Sequence, residues 1–313
     1  MQTRLNSQMI GIGGGILAGI LVPSVGRACA CGCDVFDIGT SSMFPMEQGW
    51  MAFLNYDYQD QNRNWSGTSP APAADNDDKD LETQFFTFGL QYMFNTSWGA
   101  QIGVPYDFRH LRTTDDAGAV VTRNWSQLGD IRIRGIYTGF FPDMSAGVTL
   151  GLKLPTGDYS YDPSVVDRDS QLGTGSTDVL IGGFYYHNLD VNYRWEWFAQ
   201  AELDLPVLTQ DQYQPGLELD AAAGIYYNGL TVGSVRISPV AQAIFSERTS
   251  DSGANAANPV ASGFQRILLS AGIDIHIHPV DIYADAEFPV YQNFTGNQLA
   301  APVLFKVILS YRF

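Results

Sequence analysis

From about residue 49 to the end of the chain, apolar and polar positions alternate in twos. Counting back from the last residue, Phe313, Tyr311, Leu309, Val307 and Phe305 share one register, and Arg312, Ser310, Ile308 and Lys306 the other. A period of two puts these sets on opposite faces of a strand. Upstream, Phe86, Phe88, Leu90, Tyr92 and Phe94 oppose Phe85, Thr87, Gly89 and Gln91. Trp195, Trp197, Ala199, Ala201, Leu203 and Leu205 oppose Arg194, Glu196, Phe198, Gln200, Glu202 and Asp204. Ile267, Leu269, Ala271, Ile273, Ile275 and Ile277 oppose Arg266, Leu268, Ser270, Gly272, Asp274, His276 and His278. The pattern predicts twelve strands, at about 49–59, 81–94, 98–111, 126–140, 146–156, 176–188, 193–206, 216–227, 230–246, 264–278, 281–292 and 302–313.

The connections alternate in length. Short ones follow the even-numbered strands: Asn95-Thr96-Ser97, Phe141-Pro142-Asp143-Met144, Asp190-Val191-Asn192, Asn228-Gly229 and Pro279-Val280. Asn-Gly between alternating runs is the strongest hairpin signal of the five. Long connections follow most odd-numbered strands, at about 62–80, 112–125, 157–175, 247–263 and 293–301; the one near 207–215 is brief. A soluble sandwich would carry polar residues on its outward face, whereas here long apolar faces oppose charged ones. In hydrocarbon every backbone N–H and C=O needs a partner within the protein, so a spanning sheet must close on itself. The expected fold is therefore all-β: a single antiparallel up-and-down transmembrane β-barrel of about twelve strands, over 49–313, with membrane lipid against its apolar face. Short turns on one side and long loops on the other fit that architecture, and an even strand count puts both termini in the periplasm. Trp50, Tyr58, Trp98, Tyr137, Tyr193, Trp195 and Tyr227, near strand ends, would form interfacial girdles.

The first thirty residues read as a signal peptide. Arg4 supplies a positive start, and Met9 to Val22 is apolar but too short for a spanning helix. Ala28-Cys29-Ala30 suits cleavage before Cys31, which leaves 31–48 as a periplasmic lead-in. The formal net charge of −16 argues against nucleic acid, whose phosphates need basic surface.

If the apolar face meets lipid, the other face lines the lumen. The inferred lumen residues that would meet a solute are Asp107, Arg109, Asp130, Arg132, Arg134, Lys153, Glu196, Glu202, Glu218, Asp220, Arg236, Asp274, Glu287, Lys306 and Arg312. The signs nearly balance. Such charges either form a constriction that selects solutes or pair across strands and fill the interior. Arg132, Arg134 and Lys153 share one inferred face and are expected to form a local positive patch. Cys29, Cys31 and Cys33 form a Cys-x-Cys-x-Cys cluster that could hold a soft metal or form a disulfide. Otherwise the cluster is a flexible lead-in that cleavage partly removes. No cofactor is expected. His110, His187, His276 and His278 are each followed by residues that do not give His-x-Ser, and no Gly-x-Ser-x-Gly or His-Glu-x-x-His occurs. An enzyme is therefore not expected.

The closing strand, with its terminal Phe313, resembles that of Gram-negative outer-membrane barrels, which implies recognition by the barrel-assembly machinery. A second resemblance lies mid-chain. Gly151-Leu152-Lys153-Leu154-Pro155-Thr156-Gly157-Asp158-Tyr159, then Leu172-Gly173-Thr174-Gly175-Ser176-Thr177-Asp178-Val179-Leu180-Ile181-Gly182-Gly183, resembles the outer-membrane transporter family named for the meta-pathway of phenol degradation. That implies a channel passing small aromatic or hydrophobic solutes by passive diffusion. The alternative is a structural or assembly barrel with an occluded lumen and a partner or metal at the cysteine cluster. The oligomeric state is left open.

Overall fold

The structure, a computed structural model, describes residues 44–45, 47–115, 117–256 and 261–313. The proposed signal peptide and Cys29, Cys31 and Cys33 lie outside the described residues. The strands are β1 (Gly49–Gln61), β2 (Arg63–Gly67), β3 (Ser69–Pro70), β4 (Asp80–Met93), β5 (Trp98–Thr114), β6 (Val120–Leu128), β7 (Ile131–Tyr137) and β8 (Ala146–Leu154). They continue with β9 (Ser176–Asn188), β10 (Trp195–Thr209), β11 (Glu218–Tyr227), β12 (Leu230–Val232), β13 (Val235–Arg248), β14 (Phe264–Ile277), β15 (Val280–Ala300) and β16 (Leu304–Arg312).

Twelve of these form a closed antiparallel ring, in the order β1, β4, β5, β7, β8, β9, β10, β11, β13, β14, β15, β16 and back to β1. The seam pairs Met51 with Arg312 through Gln59 with Leu304. The fold is thus the expected twelve-stranded barrel, and the extra ladders are offshoots. β6 prolongs β7 beyond a break at Gly129–Asp130, and both pair with β5. β2 and β3 form a small hairpin in the first long loop, and β2 pairs with the far end of β15. That extension carries β15 to Ala300, well past the expected end near 292.

One turn lies elsewhere than predicted. Asn228-Gly229 does not reverse the chain: the Asn228 amide donates to the Arg194 carbonyl, so the strand stays tied to its neighbour and continues as β12. The reversal falls at Gly233–Ser234, where Gly233 has φ +63° and Val232 faces Val235. A local Asn-Gly preference is weaker than a ladder partner already in place. Arg194, which the alternation puts opposite the apolar face, is instead exposed in a turn and pairs with Asp190 at 3.2 Å.

The face assignment holds along the ladders. Phe88, Leu150, Ile181, Leu269, Phe305 and Leu309 are exposed on the outside, whereas Phe85, Phe198, Leu268, Lys306 and Ile308 are buried within. At the short-turn end, aromatic pairs rim the outside: Trp50 with Tyr92 (4.3 Å), Trp98 with Tyr137 (4.7 Å) and Trp195 with Tyr227 (4.7 Å). No helix among the described residues is long and apolar enough to cross a membrane; an apolar belt of strands does so instead.

Candidate functional site

The lumen is filled in layers. At the long-loop end, residues 155–175 fold inward across the barrel mouth. Asp130, at the break between β6 and β7, ties both of the glycine-rich motifs together. Its carboxylate accepts from the Gly157 amide (2.9 Å), the Thr174 amide (2.8 Å) and the Thr174 hydroxyl (2.6 Å). The Thr156 hydroxyl donates to the Gly129 carbonyl and accepts from the Ile131 amide. Gly157 and Gly173 touch backbone to backbone, and a Cβ on Gly173 would lie 2.3 Å from the Gly157 carbonyl oxygen. These motifs therefore hold the loop to the wall. Arg109 donates to the Ser170 and Gln171 carbonyls (2.5 and 3.1 Å), and Lys79 pairs with Asp167 at 2.5 Å. The Arg168 guanidinium lies between the Tyr159 and Tyr213 rings. Val166 and Leu172 pack on Leu81, Leu111, Trp125 and Leu299. Burial, with the charge of Asp251 adding to it, pushes the Asp169 carboxyl of this loop up to about 7, against the opposing pull of Arg248.

Below the loop lies a layer of paired charges. Lys153 faces Asp178 directly across the β8–β9 ladder and bonds it at 2.5 Å, and it reaches Asp204 at 3.0 Å. Arg134 grips Glu202 with two bonds, Nε to Oε2 at 2.9 Å and Nη2 to Oε1 at 2.7 Å, spanning from β7 to β10. Lys306 stands 3.6 Å from Asp57. The expected positive patch of Arg132, Arg134 and Lys153 is thus not a free positive surface, because Arg134 and Lys153 carry their own carboxylates. An unpaired charge in this interior would be costly to bury.

Most of the predicted lumen residues do line the interior. Asp107, Arg109, Asp130, Arg134, Lys153, Glu218, Asp274, Glu287 and Lys306 are buried. Arg132, Glu196, Glu202, Asp220 and Arg312 are half-buried, and Arg236 is exposed at the short-turn end. The structure does not gather them into one site. Arg109 and Asp130 hold the loop, Arg134, Lys153 and Glu202 hold the middle, and Arg312 bonds Asp281 near the short turns. His276 also bonds Asp281 there.

Between the paired charges and the short-turn end lies a cavity of about 90 Å³. Thr87, Gln91, Gln101, Thr149 and Gln200 give it a polar side, with Arg134 and Glu202 at the edge. Phe53, Phe184 and Phe44 give it an aromatic side. Phe44 precedes the first strand and was not marked out by the alternation, yet its ring lies inside the barrel. It stacks on Phe184 (centroids 4.6 Å apart, planes at 11°) and Tyr186 (6.0 Å, 9°), with its edge to Phe198 (6.3 Å). The lead-in holds other apolar residues, Val35, Phe36, Ile38, Met43 and Met46, so nothing in the sequence singled Phe44 out.

An apolar outer belt, a closed ladder and a charge-paired, polar interior together define a transmembrane β-barrel. No protein-family model and no curated protein matches the chain. Among solved structures, an outer membrane channel from Pseudomonas putida F1 overlaps 88% of this chain and 100% of its own, with a TM-score of 0.66 at 12% identity. The β domain of the Bordetella autotransporter BrkA overlaps 85% and 100%, with a TM-score of 0.47 at 12% identity. The monoaromatic hydrocarbon channel CymD overlaps 86% and 89%, with a TM-score of 0.41 at 9% identity. The first likeness shows a shared fold; the other two are too loose to carry an argument.

Proposed function

We propose that the protein is an outer-membrane channel that passes small, uncharged solutes with an apolar or aromatic body by passive diffusion. The observation that carries this reading is the cavity with one aromatic side and one amide- and hydroxyl-lined side, set in an interior whose cations are matched by carboxylates. Cations already held by carboxylates offer little attraction to an anion, while rings and amides suit a neutral molecule with one polar group. The shared fold with an outer membrane channel supports the location and the channel class. In this reading the short turns and both termini face the periplasm, the long loops face outward, and the terminal strand is handed to the barrel-assembly machinery. The filled ends favour a second reading, a structural barrel with a permanently plugged lumen. Uptake separates the two. Porin-depleted Gram-negative cells making the protein should take up radiolabelled benzyl alcohol several-fold faster than cells without it, with little gain for benzoate. Equal rates for benzyl alcohol with and without the protein would leave the structural reading.

A further inference from the structure

On the outer wall, toward the long-loop end, a groove of about 310 Å³ lies across β4, β5 and β6. That size falls within the range of small-molecule sites, about 300–1,000 Å³. Two rows of outward side chains form it, and the inward-facing Arg109 and Trp125 back it. Glu82, His110 and Asn124 stand side by side across the ladders, with Gln84, Phe108 and Ser126 in the row below. Glu82 and Gln84 are half-buried and the other four are exposed. Directly beneath lie the rings at the edge of the apolar belt. Phe86 meets Tyr56 (4.8 Å) and Phe108 (5.8 Å), and Tyr106 meets Phe108 (5.3 Å). Aromatic girdles mark the membrane interface, so the groove stands at the height of lipid headgroups.

The polar groups of the groove are mixed. Gln84 donates to Glu82 at 3.2 Å, His110 Nδ1 bonds Asn124 Oδ1 at 2.5 Å, and the Tyr106 hydroxyl stands 3.3 Å from Ser126 Oγ. These bonds leave one Glu82 oxygen, the Gln84 carbonyl oxygen, the Asn124 amide nitrogen and His110 Nε2 for a ligand. Hydroxyls both donate and accept, and fit such a set. An anionic headgroup without hydroxyls does not. Asp60 faces Glu82 across the β1–β4 ladder and adds negative charge, and Arg112, further along β5, faces Asp80. We propose that the groove binds the sugar headgroup of a glycolipid in the surrounding leaflet. One sugar ring lies against Phe108, with its hydroxyls on Glu82, Gln84 and Asn124. The proposal rests on the orientation given above, in which the long loops face outward, and not on what passes through the lumen.

Native mass spectrometry of lipids retained by the folded barrel tests this. The protein is purified in lauryldimethylamine oxide, a detergent without sugar, and placed in phosphatidylcholine nanodiscs that hold a minority of monoglucosyl diacylglycerol. The natural protein should carry the glycolipid in several-fold excess over its share of the bilayer. Gln84→Ala with Asn124→Ala should lower that excess about tenfold, as two lost hydrogen bonds imply. Phe108→Leu, which keeps an apolar side chain but no ring, should lower it as well. Heat-modifiable gel mobility checks that both variants are folded. No enrichment by the natural protein, or equal enrichment by all three proteins, would overturn the site. Equal enrichment of phosphatidylglycerol in place of the glycolipid would overturn the sugar. Displacement of the glycolipid by an equal concentration of free maltose would overturn a lipid-borne ligand. Uptake of benzyl alcohol by cells should be the same for the natural protein and both variants. Uptake absent from all three, with the glycolipid still enriched, would remove the channel reading and leave this site standing.

Discussion

Ile273 and Asp274 are neighbours in β14 that point opposite ways. Ile273 is 38% exposed on the outer belt, and Asp274 is 8% exposed toward the lumen. Ile273→Arg would place a cation against hydrocarbon, at a cost of about 2–4 kcal/mol near mid-membrane. Asp274→Asn keeps shape and hydrogen-bonding capacity inside the barrel and should be tolerated. Denaturant unfolding in lipid vesicles should show a large loss for the first and little for the second. Equal losses would mean that this register is wrong. At this scale the sequence was readable where a residue's role depends on its own register alone. It was not readable for Asp130, whose partner Thr174 lies 44 positions away, because that junction exists only once the loop has folded inward. Gly157 and Gly173 looked like ordinary turn glycines for the same reason, and their close approach is a tertiary fact.

At the level of elements, the seam between β16 and β1 decides whether the sheet closes. Phe313 ends it: its amide donates to the Trp50 carbonyl at 3.0 Å, and its carbonyl accepts from the Trp50 amide at 3.1 Å. Its ring lies parallel to that of Trp50, 6.3 Å away. Deleting Phe313 should lower the amount of heat-modifiable barrel in the outer membrane, both by loosening this clasp and by removing the terminal aromatic. Wild-type levels after the deletion would show that neither matters. The strands themselves were legible because lipid on one side and a polar lumen on the other enforce a strict period of two. The β2–β3 hairpin and the long tail of β15 were not, because above the membrane the outer face becomes polar and the alternation fades. The Asn228-Gly229 expectation failed at this scale too: pairing to Arg194 outweighed the local turn preference.

For the whole molecule, loop segments and paired side chains fill much of the barrel interior among the described residues. Residues 155–175 are held at the long-loop end by Asp130, Arg109 and Lys79, and the Phe44 ring packs in the interior toward the short turns. The net charge of −16 is carried partly into the interior, where buried carboxylates outnumber buried cations. Much of the rest of the acid sits in loops, and inside, Lys153, Arg134 and Lys306 meet Asp178, Asp204, Glu202 and Asp57. The proposed channel would conduct only when a filling element moves, so its resting state would be shut. Single-channel recording of the purified natural protein tests this most directly. A gated channel predicts brief, discrete openings from a closed baseline under a steady voltage. A bilayer that stays silent over protein proven to be folded, or one that shows a wide pore permanently open, would contradict it.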